Sequence, residues 1–321
     1  MSWRKILFIL ITSLIVYLSF ILFIGFYEFK ESILQIPLTW WIASISFPFI
    51  SHFILSIRWF YFIKYLKYKL NYFQSSKIYL AGLSLIAAPA RSGEALRSLW
   101  LLKRFNFPIY VGISATISER IGDLLSALFL ISLSLGSIKF FCFIILFILF
   151  SFYFNKFIKS AIISMLIYIL QLFPFAKTYF NHKKLIENLA ITFERVRNMS
   201  KLEPLLISIL LCTLTWIVES ILLYITFYYL KESISFQQAT LIRTSMGLGG
   251  VISFLPAGLL TSESTSIALA IAFGTGQAEA IAATLFIRVY TLFIPSLMGM
   301  AAILLEKDLI IASNESNRNQ S

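Results

Sequence analysis

Three charged residues, Glu119, Arg120 and Asp123, lie within five positions inside an otherwise apolar run. Glu119 and Asp123 are spaced i, i+4 and so share one helix face, and Arg120 stands three residues before Asp123, close enough to pair with it. Glu219 sits near the middle of a second apolar run, and Arg288 lies in a third. Glu94 is three residues from both Arg91 and Arg97, and Glu263 follows a Gly- and Pro-rich stretch. Each charge placed in a hydrocarbon environment costs roughly 2.5 to 3.5 kcal/mol on insertion scales, so such groups turn inward and find partners. Guanidinium groups bind phosphate oxygens in pairs, which makes Arg91, Arg97, Arg120 and Arg288 candidate phosphate ligands. The alternative for any one of them is an intramembrane ion pair that fixes helix register.

The composition says why these charges matter. Of 321 residues, 59% are hydrophobic, 17% aromatic and only 13% charged, too few charges to cover a soluble domain of this size. Lipid must solvate much of the chain, and the apolar runs reach the ~20 residues that a helix needs to cross a hydrocarbon core. The net charge of +12 is spread between these runs, not gathered into one basic stripe. It reads as topology signals and contacts with anionic headgroups, and nucleic acid is not an expected partner. Cys142 and Cys212 lie far apart in apolar segments and read as packing residues. His52 and His182 are isolated, so no metal site and no cofactor are expected. No connection exceeds about thirty residues, and neither a Walker A pattern nor Gly-x-Ser-x-Gly occurs, which removes support for ATP hydrolysis and α/β-hydrolase chemistry.

The elements that must position the charges follow from the apolar runs. Residues Ile6 to Phe26 form an uncleaved first span, and Leu38 to Ile57 a second. Between them a short loop carries Glu28, Lys30 and Glu31; after them comes a basic connection with Arg58, Lys64, Lys67, Lys69 and Lys77. This places the N-terminus in the cytoplasm by the positive-inside rule. Ile78 to Pro89 is too short to span and reads as a re-entrant half-helix. Val111 to Leu135 is a full span. Phe140 to Phe173 is either two short helices or one span with an interfacial helix. Lys177 to Lys201 is an amphipathic connection, and Leu205 to Leu230 is a span. The glycine-dense segment from Gly247 to Glu263 cannot be one unstrained helix, and Ala278 to Leu305 is the final span. The expected architecture is thus an all-α polytopic membrane protein with 7 to 9 hydrophobic helices, two of them broken or re-entrant. Residues 1–305 make one transmembrane domain, and 306–321 a disordered polar tail.

The two breaks echo each other. From Pro89 to Arg120 is 31 residues and from Pro256 to Arg288 is 32; from Glu94 to Arg120 is 26 and from Glu263 to Arg288 is 25. Halves at 1–137 and 138–305 would form an inverted repeat if an odd number of crossings separates the breaks, the plan on which many secondary transporters are built. The other reading of each break is an ordinary Pro-Gly kink.

Ala-Ala-Pro-Ala-Arg-Ser-Gly-Glu-Ala-Leu-Arg (87–97) and Ser-Glu-Arg-Ile-Gly-Asp (118–123), followed by Ser-Phe-Leu-Pro-Ala-Gly-Leu (253–259) with Glu263 and Leu-Phe-Ile-Arg (285–288), resemble the flippase-like transmembrane domain of the lysylphosphatidylglycerol synthases. The chain is similar to the stand-alone, UPF0104-like form, without the cytosolic synthase domain. The resemblance implies a multi-pass protein of the cell membrane that moves lipid between leaflets. It departs at Leu259 to Ser262, where the family tends to place a further glycine before the glutamate. The leading expectation is a non-enzymatic flippase-like transporter of a phospholipid or polyprenyl-linked lipid. In it Arg91, Arg97, Arg120 and Arg288 bind phosphate, and Glu94, Glu119, Asp123 and Glu263 exchange partners with them, with Glu219 in the same pathway. The alternatives are a non-transporting subunit that presents lipid to a glycosyltransferase or lipid-modifying enzyme, and a membrane-embedded transferase using Glu94 or Asp123 as base. A homo-oligomer is compatible with each.

Overall fold

The computed structural model describes residues 26–86, 92–137, 182–252 and 260–305, together with positions 139, 142 and 258. The expected first span, the segment 140–173 apart from position 142, and the C-terminal tail lie outside the described residues. Within them all regular structure is helical. The helices are α1 (Phe26–Gln35), α2 (Leu38–Ser44), α3 (Ser46–Tyr65), α4 (Tyr72–Leu83), α5 (Ser92–Phe105), α6 (Ile109–Ser134), α7 (His182–Met199), α8 (Leu202–Tyr229), α9 (Phe236–Ile252), α10 (Thr261–Ala272), α11 (Gln277–Arg288) and α12 (Ile294–Leu305). Among the described residues, three stretches are long and apolar enough to cross a membrane, Leu38–Tyr65, Leu202–Tyr229 and Gln277–Leu305. α6, with 26 residues, also has the length, but three charged side chains interrupt it.

Several boundaries differ from the sequence expectation, among them the start of the short segment expected at Ile78: α4 begins at Tyr72, so that Lys77 lies inside the helix. The loop predicted around Glu28 to Glu31 is the helix α1, whose Ser32 donates to Glu279 Oε1 at 3.1 Å; Glu, Lys and Leu favour helix there until Pro37 ends it. The second span does not stop at Ile57 but runs on to Tyr65. Arg58 therefore lies within the span and not in a basic connection. The aromatic residues after it, Trp59, Phe60, Tyr61 and Phe62, continue the apolar face past the charge.

The directions of the helices can be read from contacts at their ends. Near the start of the Leu38–Tyr65 stretch, Trp40 Nε1 donates to Thr226 Oγ1 at 3.2 Å, close to the end of α8. At its other end Tyr65 donates to the carbonyl of Asn198, just before α8 begins, at 3.3 Å. α3 and α8 are therefore antiparallel neighbours. α4 and α5 form a hairpin whose two ends meet at the Tyr65 side, where the rings of Tyr68 and Phe107 are 4.7 Å apart. α9 and α10 form a second hairpin that enters from the Thr226 side. Gln237 donates there to the Ser134 carbonyl at 2.6 Å, and Gly276 N–H to Glu232 Oε1 at 3.2 Å. The two hairpins enter from opposite ends of the bundle. α4 and α10, of 12 residues each, reach only about 18 Å, short of the ~30 Å hydrocarbon thickness.

The two hairpins and the helices that follow them hold each other reciprocally. α6, which follows the first hairpin, packs on α9 of the second, while α12, which follows the second, packs on α4 of the first. Gly299 of α12 touches the backbone of Leu83 and Ser84, so closely that a Cβ at 299 has no room. The glycines of α9 serve contact in the same way and do not break the helix. Gly247 lies against the Trp216 indole, and Gly250 against Gly258 and Ser262 across the hairpin.

The ends also differ in charge. Lys64, Lys67, Lys69, Lys103, Arg104, Arg195, Arg197 and Lys201 gather where α3, α5 and α7 finish, whereas Lys30, Glu31, Lys231, Glu232 and Glu279 mix both signs at the other end. Apolar side chains are left outward along the spans, as at Leu202, Leu206, Leu210 and Leu214 of α8, a stripe at helical spacing that suits contact with lipid.

Candidate functional site

The centre of the site is Asp123 on α6. Arg58 from α3 donates to its Oδ1 at 2.5 Å, Arg120 approaches Oδ2 at 2.9 Å one turn earlier on the same helix, and the Cys212 thiol of α8 donates to Oδ1 at 3.0 Å. Glu119, the other carboxylate on this face, accepts from Arg97 of α5 at 2.9 Å and has Arg58 Nη2 at 3.7 Å. Arg58 thus bridges the two carboxylates, and with side-chain exposures of 1% and 0% Arg58 and Glu119 have lost essentially all contact with solvent. Such burial is tolerable only because each charge faces an opposite one at hydrogen-bond or near-contact distance. The Arg97 guanidinium also lies over Trp59 at 4.5 Å and Tyr79 at 5.2 Å, so its planar faces are covered by aromatic rings.

A second pair faces this network. Arg243 of α9 donates to Glu219 of α8 at 2.5 Å and stacks over Trp216 at 4.8 Å. Between the two groups lies a cavity of about 360 Å³. Arg58, Arg97, Arg120, Arg243, Glu119, Asp123 and Glu219 all line it. Leu83 and Ile86, at the inner end of the first hairpin, and Gly247 and Leu248 on the second also line it, so the two opposed hairpins meet there. His52 and Tyr79 complete one wall, with Nδ1 and the phenolic oxygen 3.0 Å apart.

Thr291 reaches the cavity from the last span, where the helix widens into a π turn over Val289–Phe293. The cause is Pro295, which has no N–H for the carbonyl four residues earlier. Ile117 and Leu124, one turn to either side of Arg120/Ile121, are exposed apolar residues that also border the cavity, and Arg120 is its most exposed charged side chain at 32%.

Of the residues singled out from sequence, Arg97, Glu119, Arg120, Asp123 and Glu219 come together around this cavity. Arg91 and the side chain of Glu94 lie outside what the structure describes. Glu263 and Arg288 form a separate buried pair, Nε to Oε1 at 2.7 Å, which ties α10 to α11 away from the cavity lining. Sequence reasoning missed Arg58 and Arg243. Both carry the same signal as the others, a charge flanked by apolar residues (Ile57 and Trp59; Ile242 and, beyond Thr244 and Ser245, Met246), but Arg58 falls just past Ile57, the expected end of its span. Cys212 is a ligand of the carboxylate as well as a packing residue, and Cys142 is exposed.

Leu260, at the start of α10, has φ of 69°, a positive value that costs a non-glycine residue strain. This is the stretch in which the sequence departs from the glycine expected before Glu263.

A cavity of paired charges between two opposed short hairpins defines an integral membrane protein with a polar site inside its helical bundle. The chain belongs to the family of the lysylphosphatidylglycerol synthase TM region, which it matches over residues 7–299. It is similar to a UPF0104 membrane protein of Methanocaldococcus jannaschii, with 22% identity over 316 residues, 93% of this chain and 94% of that protein. It is also similar to a UPF0104 membrane protein of Pyrococcus horikoshii, with 29% identity over 99 residues, 31% of this chain and 30% of that protein. No solved structure gives a significant match.

Proposed function

We propose that the protein moves a phosphate-bearing lipid between membrane leaflets, passing the headgroup through the cavity while the acyl or prenyl chains stay in the bilayer. The observation that carries this reading is the set of guanidinium groups from α3, α5, α6 and α9 around one cavity at the meeting point of two opposed hairpins. Arg58, Arg97, Arg120 and Arg243 are the phosphate ligands. Glu119, Asp123 and Glu219 hold them when no lipid is present and take them back as it leaves, so no charge is left bare in either state. Arg120 is the first contact, because it is the most exposed and sits between Ile117 and Leu124, which can remain against lipid tails.

On this reading the chain carries no catalytic role, and the basic end of the bundle faces the cytoplasm, in keeping with the positive-inside rule. The protein works in the cell membrane, downhill or coupled to an ion. Glu263 and Arg288 brace the second hairpin and do not touch the lipid. The test is accessibility of fluorescent lipid headgroups in proteoliposomes. Translocation by the wild-type chain that falls at least tenfold in Arg120→Ala supports transport. A folded wild-type protein that translocates none of several lipid classes, yet binds them and co-purifies with a glycosyltransferase or lipid-modifying enzyme, would overturn transport and leave a lipid-presenting subunit.

A further inference from the structure

We propose that the bundle bends at a hinge made of two facing helix breaks, Ser44–Ser46 between α2 and α3 and Val289–Phe293 in the last span, and that the bend sets the width of the cavity. The part this hinge plays in moving lipid rests on the transport reading.

Each break has a local cause. Pro48 has no N–H for the Ser44 carbonyl and its ring crowds that carbonyl, so α2 ends at Ser44 and α3 starts afresh at Ser46. The Ile45 N–H bonds back to the Ile42 carbonyl at 3.1 Å, one residue short of helical spacing. The Trp41 carbonyl, which that N–H would take in an unbroken helix, accepts instead from the Tyr290 hydroxyl at 2.6 Å. Tyr290 belongs to the π turn before Pro295, so a group released by one break is held by the other. The rings at this point also meet, Trp41 edge-on to Phe286 at 4.6 Å and Phe286 to Tyr290 at 4.9 Å.

The two sides of the breaks belong to different cores. Before them, α2 and α11 share an apolar core with α8 and α10, through Trp40, Phe227, Ala270 and Phe286. Beyond them, α3 and α12 turn to the first hairpin. The Ser56 and Tyr72 hydroxyls lie 2.8 Å apart, Gly299 abuts Leu83 and Ser84, and Trp59 and Phe62 pack with Ile78 in a second core. The cavity is lined from both sides: Leu55 and Leu83 pack in the second core, while Gly247 and Leu248 follow Met246 of the first. A bend at the breaks moves these walls apart or together without unpacking either core, which a dense interior resists. α8 runs unbroken past both cores and serves as the frame.

The test is pulsed electron–electron distance measurement between spin labels on the full chain in nanodiscs, with Cys142→Ser as background because Cys142 is exposed and Cys212 buried. Two pairs span the breaks from exposed positions, Leu38→Cys with Phe73→Cys and Ile271→Cys with Leu305→Cys. A third, Leu202→Cys with Tyr228→Cys on unbroken α8, gives the spread that label motion alone produces. A bend of about 10° shifts the far end of a ~30 Å helix by about 5 Å, so the two spanning pairs should spread by about that much more than the α8 pair. Pro48→Ala combined with Pro295→Ala should narrow both to the α8 spread. Tyr290→Phe, which loses a single hydroxyl and leaves both prolines in place, should widen them. Wild-type spreads no wider than that of the α8 pair, or spreads that Tyr290→Phe leaves unmoved, would overturn the hinge.

Fluorescent-lipid translocation on the same preparations keeps the hinge apart from the transport reading. The straightened double variant should move lipid several-fold more slowly than the wild type. If the wild type moves no lipid while the distances respond as stated, the transport reading falls and the hinge stands. If the double variant narrows the distances yet moves lipid at the wild-type rate, the hinge has no part in transport and only the transport reading stands.

Discussion

Arg58 and Asp123, 65 residues apart in the chain, meet at 2.5 Å inside the bundle, and Arg58 reaches on from there to Glu119. One cation thus ties together both carboxylates of α6, and α3 to α6. The pair is also the part of the site with least tolerance for loss of one member.

Asp123→Ala should destabilise the protein by about 3 to 5 kcal/mol, because Arg58 is left charged and buried without its closest partner. Replacing both, as Arg58→Met with Asp123→Leu, should recover much of that loss. Thermal unfolding in detergent of the two single variants and the double variant checks this. A double variant no more stable than the less stable single one would show that the pair is not coupled.

Arg120 should behave oppositely. Its side chain is partly exposed, so Arg120→Ala should alter the melting temperature little while reducing lipid translocation at least tenfold; Arg120→Lys should recover only part, since an ammonium cannot bind phosphate through two parallel bonds. Flux and melting curves measured on the same preparations separate the two effects.

Leu260→Gly should stabilise the protein by roughly 1 kcal/mol, because glycine adopts the positive φ of this position without strain. Leu260→Val, with its β-branch, should lower stability. Equal melting temperatures for all three proteins would mean that the backbone there is not strained.

Glu263→Ala should lose stability on the scale of a broken buried pair, about 3 to 5 kcal/mol, whereas Glu263→Gln, which keeps an acceptor for Arg288, should lose less. Under conditions where Glu263→Gln is folded, its affinity for a short-chain phospholipid should equal that of the wild type, since the pair lies outside the cavity lining. A large loss of affinity would move this pair into the site.

Much of this architecture was legible in the sequence, since apolar length and interrupting charges are local properties. The spans ending near Leu135 and Leu230, the short helix before Pro89, and the charged cluster at 119–123 can each be read within a single window of residues. What could not be read was which charge meets which. Asp123 has a partner within its own helix in Arg120, three residues away, but its closest contact, Arg58, comes from another helix, and no periodicity records that. The glycine-dense segment from Gly247 to Glu263 is indeed not one helix, since α9 ends at Ile252 and α10 begins at Thr261; what propensity could not show is that Gly247 and Gly250 lie within α9, kept small by Trp216 and Ser262, neighbours brought by the fold. Arg58 interrupts the apolar run just after Ile57, and only the aromatic residues beyond it carry the helix on to Tyr65.

The seat of α12 on α4 bears on how the protein is made. The first hairpin enters the membrane early in synthesis, but the surface that covers it, including the close approach of Gly299 to Leu83 and Ser84, belongs to the last helix described. Until that helix emerges, the backbone at the inner end of α4 has no permanent neighbour there. Assembly is therefore completed from the C-terminal end, and a ribosome that stalls before α12 would leave an inserted chain with its cavity wall unsupported. Such a product should be a preferred target for membrane quality control.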